Sequence, residues 1–180
     1  MGWGVFHVGG SYSGSMLYLM QGQSTANDTN VFTTTTQTNN HFTIGDWTGI
    51  NESGKNYIAY VWHDVPGFQK FGTYKGNNSN NGPYVDLGFT PGMVTWKATN
   101  GNQWGTLDNA RDICNPLKHR LHWNLTNTTN SGAGNVIEFM ANGFKCVNSD
   151  TLENASTTML YMAWADSPIS NPYGGSSVGQ

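Results

Sequence analysis

The sequence has 180 residues and a formal net charge of −3, and only 11% of its residues are charged, against about a quarter in an ordinary soluble domain. Aromatic residues reach 13%, glycines number 23, and Asn and Thr together number 42. Residues that sustain exposed helices are scarce while Thr, Tyr, Trp and Val are plentiful, which excludes a long helical bundle and predicts an all-β protein. The aromatic side chains can bury a large apolar surface, which disfavours a disordered chain.

The charge pattern excludes two classes of partner. No cluster of Lys and Arg provides the basic surface that nucleic acids or anionic membranes require, so neither is expected as a partner. No apolar run approaches the length of a membrane-spanning helix, and the first residues lack the basic start and apolar stretch of a secretory leader. Protein and neutral or polar sugar surfaces remain the expected partners.

An internal repeat organises the chain. Four blocks recur in the same order at nearly constant offsets of 101 to 103 residues: 3–6 with 104–107, 41–46 with 143–148, 51–53 with 154–156, and 57–64 with 159–166. A repeated unit of this size indicates duplicated domains. The strand-like stretch 71–98 belongs to the second copy and has no counterpart before Trp3.

The repeat predicts two β-sandwich units of the jelly-roll or concanavalin-like kind, the first one incomplete. The predicted boundaries are 1–66 for the partial first unit, 67–168 for the complete second unit, and 169–180 for an extended tail. The missing strands of the first unit are expected from another segment or chain, or the sequence is a fragment of a longer protein.

Short alternating or apolar runs between turn residues predict antiparallel strands. Turns are expected at 90–92, 100–102 and 142–143, the last as a hairpin turn with positive φ. In the second unit a strand followed by a loop is expected over 72–83, and further strands at 85–89, 93–98, 103–108, 121–125, 136–141, 144–148 and 159–165. In the first unit strands are expected at 15–21, 31–35, 42–44 and 57–63.

The last strand of each unit is apolar on both faces. In 57–63 one face carries Tyr57 and Val61, and the other carries Ile58, Tyr60 and Trp62. Such a strand is expected at the centre of a sheet, between two packed layers or under a neighbouring subunit. The tryptophans matched by the repeat are likewise assigned to the core: Trp3, Trp62, Trp104 and Trp164.

Catalytic motifs are weak. A Gly-x-Ser-x-Gly pattern at 175–179 has no preceding strand and no room for a following helix, so it is not a nucleophile elbow. Cys114 and Cys146 lack cationic neighbours that would hold a thiolate; they are expected as buried free thiols, with a disulfide left open. The eleven carboxylates are scattered singly, so a carboxylate pair for polysaccharide hydrolysis would have to form in space. No catalytic residue is predicted.

Metal and cofactor sites are not predicted either. None of the five His residues has ligand spacing to a carboxylate; His119 and His122 would point to opposite faces of a strand, and His63-Asp64 ends one. The stretches 148–150 and 108–112 offer oxygens for calcium but lack the glycine and bidentate Glu of a calcium loop. Hydrogen bonds from Asn and Asp side chains to their own turns explain both.

Aromatic residues near predicted loops are the candidates for ligand binding, because the apolar face of a sugar packs against an aromatic ring. Core or subunit packing is the competing interpretation for each of them. The candidates are Trp47, Tyr84, Trp123 and Tyr173, with Trp96 as a weaker one.

The repeated blocks resemble the tandem sandwich domains of tail-fibre and other virion proteins of tailed phages, especially those of aquatic bacteria. The resemblance covers nearly the whole chain and consists of strand and turn positions, with no catalytic residues to transfer. The segments that carry it are 71–85, 87–91, 104–111, 142–144, 161–165, and 51–62.

The resemblance implies a non-enzymatic structural protein on the exterior of a phage particle. The expected role is a tail-fibre or receptor-binding component that packs against other copies, as a homotrimer or larger assembly, against other virion proteins, and against host surface polysaccharide. The alternatives are a capsid decoration or head-fibre protein and, from another class, a polysaccharide depolymerase with two facing carboxylates.

Overall fold

The structure is a computed structural model, and it describes residues 3–7, 15–18, 26–27, 31–32, 40–126 and 134–167. The pairings between strands in these ranges are antiparallel. In chain order the elements are β1 (Gly4–Val5), β2 (Ser15–Tyr18), β3 (Ala26–Asn27), α1 (Thr48–Asn51), β4 (Gln69–Lys75), β5 (Tyr84–Asp86), β6 (Pro91–Ala98), β7 (Gly105–Asp108), β8 (Leu121–His122), β9 (Ile137–Met140), β10 (Gly143–Cys146), α2 (Thr151–Asn154) and β11 (Thr158–Ala165).

Two of the sheets form a sandwich. A five-stranded sheet has the order β4-β11-β6-β7-β8, and a three-stranded sheet has the order β5-β10-β9. Both contribute to one buried core, with Trp96, Leu107 and Tyr161 from the larger sheet and Ile137 and Phe144 from the smaller. The predicted all-β antiparallel sandwich is confirmed. A third sheet, β1-β2-β3, lies in the first part of the chain.

Aromatic rings join the two layers of the sandwich. Phe144 of the smaller sheet makes edge contacts with Tyr74 and Tyr161 of the larger one, at centroid distances of 5.6 and 5.9 Å. Each such ring buries about 150–250 Å², and an edge-to-face pair adds about 0.5–1.5 kcal/mol beyond the buried area. Some of the aromatic residues of the sequence therefore form this contact between the two sheets.

Strand β11 lies at the centre of the larger sheet, between β4 and β6. Met159, Tyr161 and Ala163 face the main core, whereas Leu160 is buried on the opposite side of the sheet against Trp104. Alternate side chains point to opposite faces, so a central strand that is apolar throughout needs cover on both sides. The predicted central strand is therefore confirmed for the second half of the chain.

Within the single chain, the predicted strand 57–63 and its burial between two layers are wrong; the alternative position under a neighbouring subunit stays a prediction. These residues form no hydrogen-bonded strand, and every residue from 57 to 64 is exposed. The predicted core positions of Trp3 and Trp62 are also wrong, since the two side chains are 47% and 55% exposed, while Trp104 is buried and Trp164 half-buried. Burial of a strand comes from its neighbours, and the described residues before 64 contain no counterpart of β4 or β6.

Other contacts nevertheless recur in both halves. The amide of Gly45 donates to the Val31 carbonyl at 2.8 Å, as the amide of Val147 donates to the Val136 carbonyl at 3.1 Å. Strand pairs also recur, at offsets of 101 to 105 residues. They are Gly4↔Tyr18 with Gly105↔His122, and Phe32↔Ile44 with Ile137↔Cys146.

A four-residue helix follows in each half, α1 after Phe32↔Ile44 and α2 after Ile137↔Cys146. The last residue of each helix is an asparagine, and its side-chain amide donates to a carbonyl six residues earlier: Asn51 to Gly45 and Asn154 to Asn148, both at 2.8 Å. The first-half residues before 64 thus share local structure with the second half although their sheet environment differs.

The turns differ in detail from the prediction. At 100–102 the left-handed backbone is present, with φ of 125° at Gly101 and 71° at Asn102. The β9–β10 hairpin turns at Ala141 and Asn142, one residue earlier than expected, because Gly143 already pairs with Met140. Gly143 has no positive φ; it is needed because a Cβ there would lie 2.0 Å from the Val85 carbonyl oxygen. Of the predicted strands 31–35 and 42–44, the described residues 31–32 and 42–44 form only the Phe32–Ile44 bridge; 33–39 and the tail 169–180 lie outside the described residues.

Candidate functional site

The most unusual surface feature is the exposed segment 57–63. Its large apolar side chains are 48% to 71% exposed: Tyr57, Ile58, Tyr60, Val61 and Trp62. Scattered exposed hydrophobic residues are normal, but contiguous ones mark a contact surface. Segment 57–63 is therefore the strongest candidate for an interaction site in the described part of the chain.

Both ends of segment 57–63 are fixed to the fold. The Tyr57 hydroxyl donates to the Thr48 carbonyl at 3.1 Å and accepts the Glu52 amide at 2.9 Å. At the other end, Gln69 Nε2 donates to the His63 carbonyl at 2.6 Å. The apolar stretch is thus held between two anchored ends.

Aromatic rings continue the surface beyond the segment. The Trp3 ring lies 5.8 Å from the Tyr60 ring, which stacks at 6.2 Å on Trp62. We call these three side chains the aromatic row. Aromatic residues are enriched in the buried centres of protein interfaces, so the aromatic row matches the composition of an interface core.

A second feature is a cavity of about 350 Å³ beside the loop between β7 and β8. Asp112 organises this loop: its Oδ2 accepts the amides of Lys118 and His119 at 2.8 and 2.7 Å, and its Oδ1 pairs with Nδ1 of His119. Partial burial alone would raise the pKa of Asp112, but the hydrogen bonds from His119 and Lys118 outweigh it and lower the pKa. Cys114 and Asn135 also line the cavity.

The cavity therefore presents amide, imidazole and ammonium groups within a size that suits a monosaccharide. Its carboxylate is engaged in holding the loop. Three hydrogen bonds to Asp112 make it an acceptor of fixed geometry, not a proton donor at neutral pH.

A buried ion cluster lies near α2. Nη1 of Arg120 donates to Asp150 Oδ2 at 2.9 Å and to Glu153 Oε2 at 2.8 Å, and both Arg120 and Glu153 are buried. Burial raises the pKa of Glu153 to about 7, although the Arg120 charge acts in the opposite direction. Within the described residues, Glu153 Oε1 and Arg120 Nε have no hydrogen-bond partner.

A carboxylate with a raised pKa is one of the two groups that polysaccharide hydrolysis requires. Glu153, however, has 0% exposure, so a sugar chain cannot reach it. Its neighbours tie it to the fold instead: its backbone carbonyl accepts the Tyr74 hydroxyl at 2.5 Å. The cluster therefore has a structural role in connecting α2 to the sandwich.

The predicted ligand-binding aromatics have different environments. Tyr84 on β5 is 49% exposed. Trp47 is half-buried and packs with Val31 and Phe32, and Trp123 is half-buried and stacks on Trp104 at 6.2 Å. The weaker candidate Trp96 is fully buried in the main core. Tyr173 and the 175–179 pattern lie outside the described residues.

The two stretches considered for calcium form turns. Asn148 Oδ1 accepts the Asp150 amide at 3.2 Å, and Asp108 Oδ1 accepts the Arg111 amide at 2.9 Å, which confirms the turn hydrogen bonds expected there. Asp150 also caps α2 through the Leu152 amide. In the described ranges, no three or more His, Cys, Asp or Glu side chains are grouped so as to hold a metal ion.

The cysteines are both free thiols, but their environments differ. Cys146 is buried as expected, and burial raises its pKa to about 12. The expectation that Cys114 is buried is wrong, because it lies exposed on the loop that lines the cavity. His122 is buried and contacts the Trp104 carbonyl at 3.2 Å, whereas His119 is half-exposed beside Asp112.

Sequence reasoning missed two features. The exposure of segment 57–63 has a sequence signal, since stretch 71–98, which supplies the neighbours of β11, has no counterpart before Trp3. The Asp112–His119 pair has none that is specific, because seven residues separate them along an irregular loop. The α2 helix has a local signal, with Asp150 at its start and Glu153 three residues later, the pattern of a capping box.

The fold and the surface together define a class: an all-β antiparallel sandwich protein with an exposed aromatic contact surface. The chain belongs to a family described as a domain of unknown function (DUF7483), which matches residues 1–168 and so extends across both halves of the repeat. No curated protein matches the chain. No solved structure matches it either. Among the described residues, no helix has the length and apolar character needed to cross a membrane.

Proposed function

We propose that this chain is a non-enzymatic structural protein of a phage particle, a tail-fibre or receptor-binding component on the virion exterior. Its partners are other copies of itself, in a homotrimer or larger assembly, and other virion proteins. The proposal extends the resemblance of the repeated blocks to tail-fibre sandwich domains.

The observation that supports the proposal most directly is the exposure of segment 57–63. Val61 is 71% exposed and Trp62 is 55% exposed on a chain with few charges. Covering a large apolar side chain in full contributes about 1.5–3 kcal/mol, so a partner that buries five such half-exposed side chains gains several kcal/mol. A protein that assembles gains this free energy when a partner covers the surface, whereas an isolated chain does not.

Sugar binding is assigned to Tyr84, which is 49% exposed on β5. Host surface polysaccharide is the expected ligand because a tyrosine ring stacks on the apolar face of a sugar without any charge. Substituting Tyr84→Ala is expected to reduce retention on host polysaccharide in affinity electrophoresis. Trp47→Ala is not a matched control because that side chain packs in the fold, whereas Phe42→Ala removes a ring that is 44% exposed elsewhere and is expected to leave retention unchanged.

The decisive experiment uses purified particles of the phage that encodes the chain. Mass spectrometry identifies the chain in the particle, and immunogold labelling locates it; few copies at the tail support a fibre, and many copies over the capsid support a decoration protein. Hydroxyl-radical footprinting then compares Tyr60 and Trp62 in the particle and in the isolated chain. We expect both to be protected in the particle. Absence of the chain from purified particles would overturn the proposal.

A further inference from the structure

We propose that segment 57–63 accepts two antiparallel β-strands with the sequence pattern of β4 and β6, supplied by a partner segment that has no β11-like strand of its own. On binding, it becomes the central strand of a second five-stranded sheet. The inference rests on the proposed function, in which this surface is covered by a partner, and it specifies the chemical nature of that partner.

The position of segment 57–63 in the chain is the first step. It follows α1 as β11 follows α2, and its sequence aligns with β11 in the internal repeat. The contact of Tyr60 with Trp3 also has a counterpart, because Met162 and Trp104 belong to one packed cluster in the second half. Segment 57–63 therefore occupies the place of β11 in the first half.

The second step is the place of the absent neighbours. In the second half, β6 lies between β11 and β7, and β4 lies on the other side of β11. The pair β1–β2 corresponds to β7–β8, so a β6-like strand belongs between segment 57–63 and β1, and a β4-like strand belongs on the far side. Among the residues that the structure describes, no strand occupies either place.

The distance between Trp3 and Tyr60 is compatible with an inserted strand. Trp104 and Met162 pack in one cluster although β6 lies between their strands. The contact between the Trp3 and Tyr60 rings in the first half therefore still leaves a place for a strand between β1 and segment 57–63. Among the described residues, the backbone groups of segment 57–63 form no hydrogen bond with another backbone group, although the His63 carbonyl accepts Gln69 Nε2. Unpaired strand edges of this kind are the condition for recognition by strand addition.

The third step identifies the source. The sequence contains one stretch with the pattern of β4 to β6, namely 69–98, and it already pairs with β11 on both sides. A second copy of the chain could donate these strands only by stripping its own β11, which replaces one exposed central strand by another. The occupant is therefore a partner segment that carries β4- and β6-like strands and has no β11-like strand of its own.

The test lengthens the full chain by placing an added copy of residues 67–103 directly before Trp3. This reproduces the spacing that precedes Trp104. Hydrogen exchange is measured at each amide of segment 57–63. We expect exchange to slow by at least ~100-fold at every amide, because in a central strand successive N–H groups bond alternately to the two neighbours. A synthetic peptide of residues 67–103, added to the unmodified chain, is expected to give the same protection without relying on the folding of the lengthened chain.

The matched control has the same length but carries Gly72→Pro and Thr95→Pro in the added copy only, because the Phe71 amide donates to the Asp64 side chain and the next amide along β4 points to β11. Each proline removes an N–H group in the middle of an added strand and clashes with the pairing, so exchange in segment 57–63 is expected to stay fast.

Four results would overturn the inference. They are unchanged exchange with both probes, protection of every second amide only, equal protection in the proline control, and protection of the unmodified chain alone as its concentration rises, which would identify a second copy as the occupant. If Trp62 is footprinted as covered in the particle while any of these results is found, the proposed function stands and the strand-pair inference fails.

Discussion

Val61 and Ala163 occupy equivalent positions in the repeat, yet their environments are opposite, which gives a direct test of the structure. Val61 is 71% exposed, and Ala163 is fully buried on β11. Aspartate at either position replaces an apolar residue at the same place in the repeated sequence. We expect Val61→Asp to leave the chain folded and Ala163→Asp to unfold it.

The magnitudes follow from burial. Val61 has lost less than a third of its exposure on folding, so its removal costs roughly 0.5 kcal/mol of the free energy of unfolding. At Ala163 the new carboxylate has no described cationic partner in the main core, and burying an unpaired charge costs several kcal/mol, comparable with the roughly 5–15 kcal/mol that stabilises an ordinary domain.

Urea unfolding followed by circular dichroism measures both effects. The conservative substitutions Val61→Ser and Ala163→Ser serve as controls for side-chain loss without charge. If Val61→Asp unfolds the isolated chain as completely as Ala163→Asp, segment 57–63 is buried in the folded chain and the account of its exposure is incorrect.

Three further outcomes are expected. Glu153→Gln should abolish a pH dependence of the free energy of unfolding. The folded pKa of Glu153 is raised from 4.5 to about 7, so in this pH range the folded state keeps a proton that the unfolded state loses. The free energy of unfolding of the unsubstituted chain therefore falls by about 3 kcal/mol as pH rises through this range. Urea titrations of both proteins check this, and parallel pH profiles would contradict it. Iodoacetamide should add one group to the native chain, at exposed Cys114, and a second at Cys146 only after denaturation, as mass spectrometry will record; rapid double labelling would contradict the burial of Cys146. Gly143→Ala should lower the free energy of unfolding by about 2–4 kcal/mol, because its Cβ would lie 2.0 Å from a backbone oxygen. The control Gly54→Ala, in open space at φ 76°, should lower it by about 1 kcal/mol; equal losses in thermal unfolding would refute the close-approach argument.

The sandwich could be predicted because its determinants are local. The uninterrupted apolar run of β11 and the turn at Gly101 specify a strand and a reversal wherever they occur, and both are observed. The same kind of run in segment 57–63 led to a wrong prediction of burial within the chain, since local pattern encodes the capacity to be a central strand but not the presence of its neighbours. The aromatic candidates show the same limit: Tyr84 and Trp123 looked alike in sequence, and only packing separates the exposed ring from the stacked one.

The cavity loop shows a different kind of limit. Asp112 holds the amides of Lys118 and His119 through a loop with no regular periodicity, so the contact depends on the path of the backbone and not on a spacing. Buried polar groups must find partners, and here one carboxylate satisfies two amides and a ring nitrogen. Sequence shows that such a carboxylate is available but not which donors reach it.

The two halves of the chain together explain why an apolar strand can remain exposed in a protein that folds. The second half has a complete sheet, a closed core and an ion cluster that anchors α2, so it contributes the main stability. The first half keeps the same asparagine hydrogen bond at the end of its helix and the same strand bridge but packs in smaller clusters. Segment 57–63 keeps the apolar residues of a central strand where exposure would favour polar residues, which supports the proposal that it pairs with partner strands. The repeated pattern, more than the exposed area alone, is the argument for β-strand pairing at this surface.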